Sequence, residues 1–414
     1  MTERIVLASI FVGGGHLALR DGFAQSLHAV PGVDLTVWES CDTRTHETYA
    51  HLVRQAGPVP KAMFALADSE WVVRALMWKE RRLVDEAVSV LKDTQADLIV
   101  STHFMVSHAF ALARQRLGLG TRVVSAIPDY GPAPAGFVPR TPSLRPDGCI
   151  VMDDSARESL SQRLPQGYPS HLSGFLPRPC FRALSAQRDS TKKFSFEEKQ
   201  AVVRKLAPDF PEVGTFDLRK PTLAFLGGSA WSEKTWPVLR RVLADRWLLA
   251  HVNLIVLAGK NPDFERKAQA ALFRHRRCAV VGFVEPDVVA SLMALVDVPV
   301  LGSLAPATMH ELLELGVGPW LVFHTIPGSE APHVPWMERH HLGLYEPDPS
   351  RMVERVRAAV GLVAPSVDFC RMRAQFPDRA WALRRDQEQR AARLWPFLSG
   401  LLAQPRADAP SVQN

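Results

Sequence analysis

The chain has 414 residues, 47% hydrophobic and 22% charged, with 49 Lys and Arg against 43 Asp and Glu for a formal net charge of +6. That length allows two domains with a core each, that balance excludes a disordered chain, and no apolar run approaches the ~20 residues that span a bilayer. The five cysteines are scattered, odd in number and without C-x-x-C spacing, so neither a disulfide framework nor a zinc site is suggested, which fits a reducing cytoplasm. The moderate positive charge favours anionic partners. Nucleic acid is not expected among them, because no helix-turn-helix, zinc-finger or ribonucleoprotein signature is present and the arginines are spread along the chain.

In chain order, the first apolar run is "RIVLASIF", which reads as a buried strand rather than a signal-peptide core: it is short, and no small-residue cleavage site follows. It stops at Gly13, Gly14, Gly15 and His16, after which helical spacing holds from Leu17 to Ala29. Further strands are expected at "VDLTVWES", "ADLIVST", "TRVVSAI" and "DGCIVMD", with helices at "RLVDEAVSVLKD" and "SHAFALARQRLG". Between them, the basic, Trp-rich segment from Lys61 to Arg82 places Trp71, Val72, Leu76 and Met77 largely on one side and Arg74, Lys79, Arg81 and Arg82 around them. That pattern suits an anionic membrane surface and equally a helix packed on the core with a solvated basic face. The adjacent Asp153 and Asp154 read as a strand end, not a metal-binding D-x-D. The polar stretch 181–219 reads as a linker with one embedded helix.

The pattern then restarts with "PTLAFLGG", "VNLIVLAG", "CAVVGFV", "VDVPVLG" and "GPWLVFH". Strand and helix alternate throughout, so the fold class is α/β with parallel sheets in two similar halves. The expected organisation is a first domain over 1–180, a linker over 181–219 and a second domain over 220–380. A C-terminal helix over 381–402 is expected to cross back to the first domain, with a disordered tail over 403–414.

Glycine turns from strand to helix are where α/β domains bind ligands. "GGGH" is neither a G-x-G-x-x-G fingerprint nor a P-loop, since Leu17 and Ala18 follow and no G-K-[ST] does. What remains is a tight turn presenting one imidazole, as a base or as a structural histidine. In the second half, Gly227, Gly228, Ser229, Gly259, Lys260 and the helix starting near Pro306, with Thr308 in its first turn, supply N–H groups, a hydroxyl and a cation suited to a diphosphate. Ordinary strand-to-helix punctuation accounts for any one of them alone.

Taken in order, these motifs resemble the monogalactosyldiacylglycerol synthases and processive diacylglycerol glucosyltransferases, relatives of the MurG enzyme in glycosyltransferase family GT28. "GGGHLALRDGFAQSL" is similar to the family's glycine-rich loop, "ADLIVSTHFM" to "PDLIISTHP", "SGFLPRPCF" to "GLPVRPSF", "APATMHELLELG" to "GPGTIAEALIRG" and "IPGSEAPHVPWME" to "IAGQEAGNVPYVVE". The resemblance implies the GT-B fold, two Rossmann-like α/β domains facing each other across a cleft. It implies an inverting transfer of a hexose from a UDP-sugar to a lipid hydroxyl, diacylglycerol or similar, by a cytoplasmic enzyme peripheral on the inner face of the cell membrane. His16 would be the catalytic base. Donor binding would fall to Gly14, Gly15, Arg178 (diphosphate), Gly228, Ser229, Lys260, Phe283 and Val284 (uracil), Thr308, Glu311 (ribose), Ser329 and Glu330 (sugar). His103 and Asp129 are acceptor-side candidates, Asp129 being displaced by a few positions from the family's aspartate. No cofactor and no metal is implied, the UDP-sugar being the donor substrate. The chain departs from the pattern at Ala305 and Ala307, where the family has glycines, expected to narrow the room for a phosphate, and at Ser329 and His333, where it has glutamine and asparagine. A soluble-acceptor glycosyltransferase, a UDP-sugar epimerase and a non-catalytic nucleotide-sugar-binding protein remain as alternatives.

Overall fold

The structure is a computed structural model that describes residues 2–10, 14–40, 69, 71–72, 75, 80–186, 193–227, 232–326 and 328–404. Most of the Lys61–Arg82 segment and residues 405–414 of the expected tail therefore lie outside the described residues. The chain divides into two units, one of residues 1–176 with 386–414 and one of residues 177–385.

The first unit is built on a parallel sheet of β1 (Glu3–Ile10), β2 (Val33–Ser40), β3 (Leu98–Ser101), β4 (Arg122–Ala126), β5 (Gly148–Val151) and β6 (Ser170–Leu172), in the order β2-β1-β3-β4-β5-β6. β3 and β5 are buried along their whole length, and continuous runs such as LIVS and GCIV are what strands covered on both faces require. β2, at the edge, has half-buried and exposed positions with only Ser40 buried. Helices α1 (Gly14–His28), α2 (Arg81–Thr94), α3 (Phe104–Leu117) and α4 (Asp154–Arg163) cover the faces. Leu83, Ala87 and Leu91 form the buried stripe of α2, which meets Val6, Ile10, Ile99 and Phe110 in the core. Asp153 and Asp154 do not end a strand. Asp153 caps α4, its carboxylate accepting from the Ala156 N–H at 2.9 Å, and Asp154 opens the first turn.

The second unit carries β7 (Thr222–Leu226), β8 (Asn253–Gly259), β9 (Cys278–Gly282), β10 (Val298–Leu301), β11 (Trp320–Val322) and β12 (Gly343–Tyr345), parallel and in the order β12-β11-β10-β7-β8-β9. Its helices are α5 (Pro179–Ala186), α6 (Phe196–Leu206), α7 (Trp236–Ala244), α8 (Arg246–His251), α9 (Pro262–Leu272), α10 (Pro286–Ala294), α11 (Pro306–Leu315), α12 (His333–Arg339), α13 (Pro349–Ala359) and the part of α14 (Val367–Ala391) up to Arg385, the rest of α14 belonging to the first unit. Proline at the first position of α9, α10, α11 and α13 sets the helical φ where no N–H partner is needed.

The stretch 181–219 is not a free linker in its described part. α5 and α6 pack on α10, α6 starts in a Ser195–Glu198 capping box, and the buried Lys199 ammonium reaches both Asp297 carboxylate oxygens at 2.9 and 3.0 Å. The helix expected over 381–402 is two helices, α14 ending at Ala391 and α15 (Leu394–Ala403) following it. α15 buries Leu394, Leu398 and Leu401, and its Phe397 stacks on His171 of β6. Within the first unit, Gln387 accepts from the Phe175 N–H at 2.8 Å.

Candidate functional site

In an open parallel sheet, strand order reverses at one point, and the loops leaving the strand ends there diverge to leave a crevice. In the first unit the reversal lies between β1 and β3. α1 leaves the end of β1 with His16 in its first turn, and His103 follows β3 as the cap of α3. The two rings meet edge-on, 4.9 Å apart. His16 Nδ1 lies 2.5 Å from the Thr102 carbonyl, which can only accept, so Nδ1 carries the proton and Nε2 keeps its lone pair. Burial lowers the His16 pKa, against the opposing pull of the Asp129 carboxylate and of the Thr102 carbonyl. The ring is thus a neutral imidazole at pH 7.

His103 is buried, and its Nδ1 accepts from the Met105 N–H at 3.3 Å. Burial and the neighbouring His16 and His108 hold its pKa well below the histidine range. It caps α3 and packs the His16 ring, and Phe104 stacks on it at 4.7 Å. Asp129 is half-buried and acts on His16 through its charge. A Cβ added at Gly14 or Gly15 would meet no atom of the described residues beyond its own helix within 4 Å, and neither has a left-handed φ. Glycine in a helix costs about 1 kcal/mol relative to alanine, so nothing within the described chain accounts for the pair.

In the second unit the sheet, read from β9, runs 3-2-1-4-5-6 in units of its own strands, with the reversal between β7 and β10. A pocket of about 160 Å³ opens there at the carboxyl ends of the strands. Leu226, Leu257, Val289, Met293 and Leu312 form its apolar wall, and Arg178, Phe283, Val284, Thr308 and Glu311 line the rest. Arg178 Nε donates to Glu311 Oε1 at 2.7 Å. Burial raises the Glu311 pKa, and the Arg178 charge and hydrogen bond pull it back down. The N-cap of α11 is Ala305, which offers no side-chain acceptor to the first-turn N–H groups. Phe283 is 57% exposed, and the Lys260 ammonium stands 4.5 Å from its ring centroid.

Residues assigned separately from the sequence thus share one pocket: Arg178, Phe283, Val284, Thr308 and Glu311. Gly228 and Ser229 lie outside the described residues. Glu330 differs from its expected part as a sugar contact. It is buried, and its carboxylate accepts from Ser303 Oγ at 2.5 Å, the Leu304 N–H at 2.9 Å and the Ile326 N–H at 3.0 Å. It ties the loop after β10 to the loop after β11, while Ser329 beside it is half-buried. His333 is fully buried with Nδ1 2.7 Å from the Leu304 carbonyl. Ala305 and Ala307 do not line the pocket, and Ala307 is buried, so its methyl narrows no room there. Thr102 and the apolar wall were not singled out from the sequence. Nor was His324, whose Nδ1 lies 3.1 Å from the Gly302 carbonyl, although it ends the strand run "GPWLVFH".

Comparison with solved structures settles the architecture. The S. aureus MnaA structure with UDP aligns at a TM-score of 0.59 over 98% of this chain and 99% of that one, at 11% identity. UDP-GlcNAc 2-epimerase from Neisseria meningitidis, bound to UDP-GlcNAc, aligns at 0.59 over 96% and 100%, at 11% identity. A glycosyltransferase from Rickettsia africae aligns at 0.58 over 98% and 100%, at 9% identity. The chain has the GT-B fold. At these identities the likeness is one of fold, and no protein-family model and no curated protein matches the chain. Among the described residues no helix is long and apolar enough to cross a membrane.

Proposed function

We propose that this GT-B chain is a UDP-sugar-dependent hexosyltransferase that works with inversion. The observation that carries the reading is the convergence of Arg178, Phe283, Val284, Thr308 and Glu311 on one switch-point pocket in the second unit. Its volume is below the ~300–1,000 Å³ of pockets that enclose a whole drug-sized ligand. It suits a nucleoside, with Phe283 and the apolar wall against the base and Glu311 against the ribose. Arg178, Lys260 and the uncapped start of α11 then supply fixed positive charge for the diphosphate, whose negative charge grows as it leaves.

In the first unit the neutral His16, its Nδ1–H fixed on Thr102, presents Nε2 to an acceptor hydroxyl. The hydroxyl proton passes to Nε2 as its oxygen bonds to the anomeric carbon, and the bond to the diphosphate oxygen breaks with its electron pair leaving on UDP. Gly14 and Gly15 keep the approach to this ring open. The acceptor supported by the sequence resemblance is a lipid hydroxyl, diacylglycerol or similar, taken at an anionic membrane surface, and no step here calls for a metal or further cofactor.

A UDP-sugar epimerase is the second reading, favoured by solved neighbours named as UDP-GlcNAc 2-epimerases. One experiment separates the two. UDP release is followed from a panel of UDP-sugars with diacylglycerol or soluble acceptors, beside UDP-GlcNAc without acceptor in deuterated water. Acceptor-dependent UDP release supports transfer; deuterium entry at C2 without net UDP release supports epimerisation and overturns it.

A further inference from the structure

Three segments of the second unit meet at the amino ends of its strands, on the edge of the sheet opposite the pocket. They are residues 215–220 before β7, α8 before β8, and residues 273–277 before β9. Their junction is the carboxyl end of α8. Arg277 Nη2 donates to the Leu249 and Ala250 carbonyls at 3.3 and 3.0 Å, and Lys220 Nζ donates to the Ala250 carbonyl at 2.7 Å. The Arg277 N–H donates to Thr215 Oγ1 at 3.1 Å, closing the triangle.

The chemistry of this surface is one-sided. Arg219, Lys220, Arg246, Arg274, Arg276 and Arg277 stand against Asp217 alone within the three segments, which is most of the excess in a chain whose net charge is only +6. No acid occurs between Glu265 and Glu285. On the rim are Glu212 and Asp245, the latter occupied by the Leu248 N–H and Arg357. Two large aromatics stand out from the same surface, Trp247 at 60% exposure, with the His251 ring 4.5 Å away, and Phe273 at 87%.

We propose that this basic, aromatic surface of the second unit docks the protein on an anionic lipid surface. Arginines held at the headgroup level gain from the negative potential of the leaflet, and amphipathic rings suit the boundary between headgroups and acyl chains. The chain carries no nucleic-acid-binding signature, and a soft apolar layer takes a ring as bare as Phe273 without a matching shape. Docked this way, the unit holds its nucleotide pocket on the far edge of the sheet, a strand length of roughly 20 Å from the lipid, a placement that favours the soluble acceptor over a lipid hydroxyl of the same leaflet. The donor then arrives from the aqueous side. The inference goes beyond the UDP-sugar reading and does not depend on it.

The full-length chain is sedimented with vesicles of phosphatidylcholine alone and with phosphatidylglycerol added, at low and high salt. The expected result is binding to the anionic vesicles that salt weakens. Arg274→Ala with Arg276→Ala should lower partitioning about 25-fold, about fivefold for each charge removed. Trp247→Ala with Phe273→Ala should lower it by a factor that salt does not change. All four positions are exposed, so the fold should hold, and UDP binding in solution should be unchanged in both variants. Vesicle binding equal to that of the parent chain in both variants overturns the proposal, as does no anionic binding by the parent chain. Displacement from the vesicles by RNA at equal charge concentration also overturns it.

Discussion

The pairing of Arg178 with Glu311 makes a sharp prediction for Arg178→Ala. The Glu311 side chain is only 7% exposed and the Arg178 side chain 24%, with 2.7 Å between Nε and Oε1. Removing one partner of a buried pair costs about 3–5 kcal/mol, because the other charge is left uncompensated. The pair reaches water on the arginine side, so the lower figure, about 3 kcal/mol near pH 8, is expected. The loss should depend on pH. Burial already raises the Glu311 pKa and Arg178 holds it down, so without the arginine it rises further. A carboxyl group whose folded pKa lies above its unfolded value keeps its proton in the folded state after the unfolded chain has released it. Stability is then fully present below the unfolded value and lost as pH rises through the folded one. The variant should therefore be closest to the parent chain near pH 4 to 5 and furthest from it near pH 8. Adding Glu311→Gln removes the stranded charge and should restore most of the deficit at pH 8. Urea denaturation of the two single variants and the double variant, at both pH values, closes the cycle. Equal losses at pH 8 for Arg178→Ala and the double variant, or a deficit that is flat with pH, would refute the reasoning.

Four further outcomes are expected. His16→Asn keeps a donor for the Thr102 carbonyl and removes the free lone pair, so turnover should fall 10²–10⁴-fold, about 2.7–5.4 kcal/mol, with the melting temperature unchanged. In the parent chain the acid limb of the pH–rate profile should lie below pH 6.5, where the lowered His16 pKa puts it; a loss under tenfold would remove His16 from the base role. Gly15→Ala should leave stability equal or raise it by up to about 1 kcal/mol, because its Cβ meets no atom of the described residues outside its own helix, while turnover drops. Burial takes the His310 pKa down to about 3, so on acidification the unfolded chain binds a proton that the folded chain refuses. Stability should therefore fall by about 3 kcal/mol between pH 6.5 and 4, a slope that His310→Gln should remove in urea titrations. Glu330→Gln replaces a carboxylate that accepts three bonds with an amide that opposes one of the donors, and should cost about 2 kcal/mol and weaken UDP binding measured by calorimetry.

Much of this was legible in the sequence, for a physical reason. Strands covered on both faces must be continuous apolar runs, and LIVS, GCIV, TLAFL and VPVL are just that. The two strands that escaped notice, β6 and β12, are three-residue edge strands, SHL and GLY, with no apolar run to mark them. Their existence depends on a neighbour to pair with, which is tertiary information. The linker reading failed similarly. A polar surface sequence over 181–219 hides Lys199, whose partner Asp297 lies 98 residues away and turns a charged residue into a buried anchor. In the pocket, the residue types were readable but their pairing was not, since Arg178 and Glu311 are 133 positions apart.

The segment "GSEAPH" shows where a resemblance of sequence misleads about role. Glu330 and His333 sit where the resembled family contacts a sugar, yet both are buried and both hold the backbone of one residue, Leu304. Glu330 accepts from the Leu304 N–H, and His333 Nδ1 meets the Leu304 carbonyl. Because the peptides on either side of Leu304 are both held, the backbone entering α11 at Pro306 has little freedom. The direction of that helix fixes both the first-turn N–H groups and, one turn on, the Glu311 carboxylate. The effect of this segment on a nucleotide is therefore indirect: it sets where the end of α11 points. An alanine at the cap of α11, which brings no side-chain acceptor of its own to the first-turn N–H groups, is compatible with such a role, because it leaves room for an external anion as their partner. The departures at Ala305 and His333 are in that sense coupled, one leaving the helix end open and the other helping to hold it in place.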